Sequence, residues 1–209
     1  TEKTPQGPDD HWAYQPVVRP AIPELVIPET TGEDGSWIAN PIDAFVFSKL
    51  TNKSMRPLGL AEPEIRLRRL YFDLVGLPPT PEQISDYAED PTRGKWESIA
   101  GHLLEQQAHG ERWARHWMDV WRYSDWDGFK NAVRGSQRHI WRWRDWIVES
   151  LNGDKGYDRM LVEMLAGDEI APNDPQTLRA TGFLARNFHH SNRNIWLDAT
   201  VEHTAKAFM

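Results

Sequence analysis

Thr80-Pro81-Glu82-Gln83 is a helix start written out in four residues. The threonine hydroxyl can accept from the backbone N–H three residues on, and the glutamine there can reach back to the threonine N–H. Proline at the first helical position gives up an N–H that would have had no partner anyway. Asn40-Pro41 and Asp174-Pro175 use the same device. Apolar residues at helical spacing follow two of these starts: Ile42, Phe45, Val46 and Leu50, then Ile84, Tyr87 and Ala88. The spacing recurs in Leu67, Leu70, Tyr71 and Leu74, in Trp96, Ile99, Leu103 and Leu104, and in Trp113, Trp117, Val120 and Trp121. It returns in Trp143, Trp146, Ile147 and Leu151, and in Leu161, Met164 and Leu165. Gly76 with Pro78-Pro79, Asn152-Gly153 and Gly167 read as stops. The segment opened at Asp174-Pro175 should run to about Thr181-Gly182, and residues 186–196 read as polar and irregular. No pair of alternating strands stands out. The chain therefore reads as all-α, with about eight short helices in an irregular bundle.

Before that bundle the pattern changes. Residues 1–39 are proline-rich, and Pro16, Pro20, Pro23 and Pro28 interrupt any helix or central strand. This stretch reads as an extended arm, and residues 40–209 as the helical domain. A last stripe, Val201, Ala205 and Phe208, runs on with no glycine or proline stop, so the domain reads as truncated at its C-terminal end.

Composition narrows the function. The net charge of −7 argues against duplex nucleic acid, whose binders need a basic surface. No apolar run is long enough to span a bilayer. The absence of cysteine removes disulfides, zinc–thiolate sites and thiol catalysis. Tryptophan is the outlier: there are 11, and seven of them fall between Trp113 and Trp146. They read equally well as a core of large rings or as an aromatic groove for a sugar or a flat cofactor.

Six blocks carry a resemblance. They are His11-Trp12-Ala13-Tyr14-Gln15-Pro16, Asn40-Pro41-Ile42-Asp43, Tyr71 to Pro81, Gly110-Glu111-Arg112-Trp113-Ala114-Arg115-His116-Trp117, Ala166-Gly167-Asp168-Glu169 and Glu202 to Phe208. In order and spacing they resemble the planctomycete-type cytochrome-associated domain of unknown function. The resemblance implies an exported protein, periplasmic or secreted to the cell surface, in organisms that degrade polysaccharide. It also implies a Cys-x-x-Cys-His haem attachment motif shortly after the helix that ends this chain. With no cysteine, these residues hold no haem covalently, and haem c is expected in the missing C-terminal part. The implied role is redox or electron transfer linked to extracellular polysaccharide. A non-catalytic carbohydrate-binding module and a structural or assembly module are the alternatives.

Candidate site residues fall in four places. Asp119 and Arg122 lie three apart on one helix, where an ion pair is the plain structural reading. Asp125, at that helix's end, is a candidate acid/base or sugar-binding carboxylate. Asp125-x-Asp127-Gly128 matches part of a calcium loop, but Tyr123 stands where an oxygen ligand is needed. In Arg138-His139-Ile140-Trp141-Arg142-Trp143-Arg144-Asp145-Trp146, arginines alternate with rings. They are either stacked packing or an anion site, with Arg142 the candidate for an acidic sugar or a haem propionate. Asp168 and Glu169 are pocket carboxylates or solvated loop. His189, His190 and His203 are candidates for cofactor contact, although their spacing fits no zinc signature, and no metal site is expected. No phosphate loop, nucleophile elbow or paired-histidine metal helix occurs.

Overall fold

The structure is a computed structural model and describes residues 11, 14–24, 38, 40–125, 138–187 and 192–208. The chain divides into two compact units, residues 1–61 and 62–209. Of the proline-rich stretch, residues 16–24 carry neither helix nor strand, and Val17 and Val18 are exposed.

The first unit holds α1, Pro41–Asn52. Its start is the expected capping box. Asn40 Oδ1 accepts from the N–H groups of Ile42 and Asp43 at 2.9 and 3.1 Å, and Asp43 Oδ2 accepts from the Asn40 N–H at 3.1 Å. The buried face differs from the expected stripe. Ala44 and Phe47 are buried, whereas Ile42 and Val46 are exposed.

The second unit contains α2 (Pro63–Leu74), α3 (Pro81–Glu89), α4 (Arg93–Leu104), α5 (Gln107–Val120), α6 (Trp141–Asn152) and α7 (Tyr157–Ile170). It continues through α8 (Pro175–Leu178), a 3-10 turn (Arg179–Thr181), α9 (Gly182–Ala185) and α10 (Arg193–Phe208). The all-helical reading holds: no strand occurs among the described residues. The Thr80 capping box forms as read, with Thr80 N–H donating to Gln83 Oε1 at 2.8 Å and Gln83 N–H to Thr80 Oγ1 at 3.3 Å. Asp174 accepts from the N–H groups of Gln176 and Thr177 and from the Thr177 hydroxyl.

Two apolar cores lie within this unit. Leu67, Tyr71, Val75, Tyr87 and Leu103 form one, from α2, α3 and α4. The other is built on Trp121, Trp143, Trp146, Ile147, Met164 and Phe183. Helix α5 serves both, packing Ala108 against the first and burying Ala114 in the second. Its most extensive partner is α6.

Small residues permit the close crossings. A methyl on Gly182 would stand 2.4 Å from Trp143 Cβ, and one on Gly110 would stand 2.4 Å from Asn152 Oδ1. That asparagine stitches α6 to the start of α5, accepting from the Gly110 N–H at 2.9 Å and donating to the Gln107 carbonyl at 3.2 Å.

The stop read at Asn152-Gly153 forms: α6 ends at Asn152 with Gly153 as its C-cap at φ −88°, and the left-handed residue just beyond is Asp154 at φ 48°. Asp154 N–H donates to Leu151 O and Lys155 N–H to Ser150 O, the paired closure of a Schellman ending. Gly167 does not stop α7. The helix bends at Ala166 (φ −144°, ψ 25°) and continues, and Gly167 lies against the Thr177 carbonyl and Thr181. Residues 193–196 are helical rather than irregular, because Asn192 Oδ1 accepts from the N–H groups of Asn194 and Ile195 and starts α10. Val201, read as part of an apolar stripe, is 69% exposed.

Candidate functional site

The tryptophan-rich centre is mainly core. Trp121, Trp143 and Trp146 are all at or below 2% exposure. Burying about 150–250 Å² per ring contributes about 4–6 kcal/mol each at ~25 cal/mol per Å², before entropy is counted. Trp113 and Trp141 keep part of their surface in solvent. Trp126 lies outside the described residues.

The proposed Asp119–Arg122 ion pair does not form. Helix α5 ends at Val120, and Arg122 turns into the left-handed region at φ 53°, off the helical face. Tyr123 N–H donates to Met118 O at 2.8 Å and Arg122 N–H to Asp119 O at 3.3 Å, so this too is a Schellman ending, with arginine where glycine is usual. Both side chains are exposed. The Arg122 charge helps to hold Glu202 of α10 below the usual carboxylate range, behind the larger effect of Lys206.

Asp125 lies beside the end of α5 and joins a cluster. It accepts from the Tyr123 hydroxyl at 2.5 Å, and Arg144 Nη1 lies 4.0 Å from the same oxygen. Arg144 also donates to Asp145 Oδ1 from Nε and Nη2, at 3.0 and 2.9 Å. Burial is the largest cause raising the Tyr123 pKa well above its ordinary value, and the Asp125 hydrogen bond and charge add to it. The phenol is thus held in its neutral, donating form. The Tyr123 ring packs against Trp143 at 5.6 Å between centroids.

Arg142 is exposed on the first turn of α6 and stacks on Trp141, its guanidinium carbon 5.2 Å from the ring centroid. It also lines a cleft of about 230 Å³ between the start of α6 and residues 178–185. His139, Ile140, Trp143, Leu178 and Arg179 share that lining. Two of these residues carry a buried N–H with no acceptor among the described residues, Trp143 Nε1 and Arg179 Nε. The rest of the Arg179 fork faces Glu149: Nη1 donates to Oε1 at 3.1 Å and Nη2 donates to Oε2. That contact is the largest cause holding Glu149 below the usual carboxylate range. Arg142 places an exposed cation at an otherwise largely apolar lining, which suits a ligand that brings an acidic group. Arg179 also borders a second cleft of about 300 Å³, with Trp146, Glu149, Lys155, Asp174 and Thr177.

The remaining candidates scatter. Asp168 is exposed near the end of α7, beyond the bend, and makes no hydrogen bond or ion pair among the described residues. His189 and His190 lie outside the described residues. His203 sits half-buried on α10, where Nδ1 meets Asn187 Oδ1 and lies 3.4 Å from Arg186 Nη1. The structure therefore brings together Asp125 with Tyr123 and Arg144, and Arg142 with His139, Trp143 and Arg179, and it leaves Asp168 apart.

Sequence reasoning passed over the most deeply buried carboxylate among the described residues. Glu163, 4% exposed, accepts from Lys155 Nζ at 2.6 Å, Arg159 Nε at 2.7 Å and Trp146 Nε1 at 3.3 Å. Burial is the largest influence on its pKa and pushes it up, but the two cations together outweigh burial and hold it below the usual range. The signal for it was the i, i+4 spacing of Arg159 and Glu163 around the apolar run Met160-Leu161-Val162.

Among the described residues no group of three His, Cys, Asp or Glu side chains is arranged to hold a metal ion, and no helix is long and apolar enough to cross a membrane. The 230 Å³ cleft falls below the ~300–1,000 Å³ usual for a whole small ligand, so it suits a ligand's end group and does not fit an entire porphyrin.

Fold and site thus define an all-helical protein with an arginine-edged cleft beside its larger aromatic core. The chain belongs to the family PSCyt2, a protein family of unknown function (DUF1549), whose model matches residues 41–209. No curated protein and no solved structure matches it.

Proposed function

We propose that this chain is the helical N-terminal part of an exported, periplasmic or secreted, protein associated with c-type haem. In this reading it works in electron transfer linked to the use of extracellular polysaccharide. Its own part is to bind the acidic group of a ligand in the cleft beside Arg142. The observation that carries the reading is that cleft, with the exposed Arg142 guanidinium on its lining. A carboxylate, a sulfate ester or a haem propionate would pair with that guanidinium. The resemblance set out above supports the haem and the exported location, and haem would be attached outside these residues, which contain no cysteine.

A titration tests it. Tryptophan fluorescence should change on adding uronate or sulfated oligosaccharides, or a propionate-bearing haem peptide, and Arg142→Ala should weaken the response about tenfold or more, the worth of a charge-assisted contact. The reading fails if no acidic ligand is bound, or if Arg142→Ala binds as tightly as the unaltered chain. Partial exposure of Trp113 and Trp141 favours one alternative, a non-catalytic carbohydrate-binding module. Neutral oligosaccharides binding as well as acidic ones would select it.

A further inference from the structure

Trp143 touches two different things. It lines the cleft, and it packs its ring against Tyr123. Tyr123 in turn donates its hydroxyl to Asp125 at 2.5 Å. We infer that Tyr123 is a proton-coupled one-electron donor, linked to the cleft through Trp143 and releasing its proton to Asp125. The inference deepens the redox reading above and rests on it for its biological setting, but its chemistry needs neither haem nor glycan.

The step balances as follows. A one-electron oxidant of the trivalent metal-complex class takes an electron from Trp143 at the cleft and is reduced by one unit. The indole is left as a radical cation, which ordinarily relaxes by losing its Nε1 proton. Trp143 Nε1–H is buried and meets no acceptor among the described residues, which supply no route for that proton. An electron from Tyr123 refills the indole instead. The phenolic proton moves along the hydrogen bond to Asp125 Oδ1, leaving a neutral tyrosyl radical and a protonated Asp125. The Asp125 side chain is 60% exposed, so it can pass the proton on to water. Among the described residues the other charged groups facing Tyr123 are Arg144 and Asp145, and they bond to each other.

The other tyrosines lack one part or another. Among the described residues the Tyr87 hydroxyl is buried and has no partner to take a proton, and the Tyr71 hydroxyl makes no hydrogen bond to a carboxylate. Tyr14 and Tyr157 stand 75% and 45% exposed, and neither donates to a carboxylate. Among the described residues, Tyr123 is the tyrosine whose hydroxyl meets a carboxylate.

The test is flash oxidation of the whole chain by ruthenium tris-bipyridine with an irreversible quencher, read by electron paramagnetic resonance and transient absorption. A tyrosyl signal should form and be lost in Tyr123→Phe. Asp125→Asn, a change at an exposed side chain, should slow its formation and remove the solvent deuterium isotope effect. An undiminished tyrosyl signal in a folded Tyr123→Phe, or an Asp125→Asn variant matching the unaltered chain in rate and isotope effect, overturns the proposal. Because the ruthenium complex needs no cleft ligand, failure here leaves the binding titration untouched, and failure of that titration leaves this result standing.

Discussion

Replacing Glu163 by alanine should cost about 3 kcal/mol of stability, at the low end of the ~3–5 kcal/mol seen when a buried ion pair loses one partner. The low end applies because the partners differ in what they lose. Lys155 and Arg159 side chains are 29% and 55% exposed and can recover water. Trp146 Nε1 cannot, since its residue is 2% exposed, and stranding that donor costs about 1–3 kcal/mol. Glu163→Gln keeps the shape but presents an amide to three donors, and should fall between alanine and the unaltered chain. The pH dependence has a definite sign. The folded pKa of Glu163 is lowered, so its stabilisation is fully present above the unfolded value of about 4.3 and is lost as pH falls through the folded value. Urea unfolding followed by tryptophan fluorescence at pH 7 and at successively lower pH measures both effects. The gap between the unaltered chain and Glu163→Gln should narrow as the pH drops. An alanine variant within about 1 kcal/mol of the unaltered chain, or a gap independent of pH, would show that the three hydrogen bonds contribute little net stability.

Two further outcomes follow from backbone and packing. Gly182→Ala places a methyl 2.4 Å from Trp143 Cβ, and should destabilise by about 1–3 kcal/mol and blue- or red-shift the core fluorescence, whereas the same change at Gly94, where nothing lies within 4 Å, should be mild or stabilising. Asp154→Gly and Arg122→Gly should each raise stability by about 0.5–1 kcal/mol in thermal unfolding, since φ 48° and φ 53° suit glycine better than a residue with a Cβ; a loss in both would mean that their side chains matter more than the backbone conformation.

What could be read beforehand was local. Thr80, Asn40 and Asp174 cap their helices as their side-chain chemistry requires, because a cap involves only a few consecutive residues. The buried faces were less legible. In α5 the interior positions are Gly110 and Ala114, while Trp113 is 39% exposed, because a close helix crossing selects small residues over apolar ones. The site was legible only in parts. Asp125 and its near neighbour Tyr123 were evident together, and Arg142 as a charged residue beside rings, but Arg144 reaches Asp125, and Arg179 joins the Arg142 cleft, through packing across more than one element. The Asp119–Arg122 reading failed because a left-handed ending at arginine has no signature in the sequence. Gly167 was misread because a glycine that admits a neighbouring backbone looks the same in sequence as one that ends a helix.

The resemblance blocks around Gly76 and Gly110 also meet in space. His109 Nδ1 lies 2.9 Å from the Leu74 carbonyl, and a methyl on Gly76, at φ 74°, would stand 2.8 Å from Arg112 Cδ. Both contacts are made at the start of α5, the helix that packs into one core through Ala108 and into the other through Ala114. Neither core can come apart without loosening this helix, and a loosened helix withdraws support from the other core. Residues 62–209 should therefore lose structure in one cooperative step, with the α5 amides among the slowest to exchange their hydrogens.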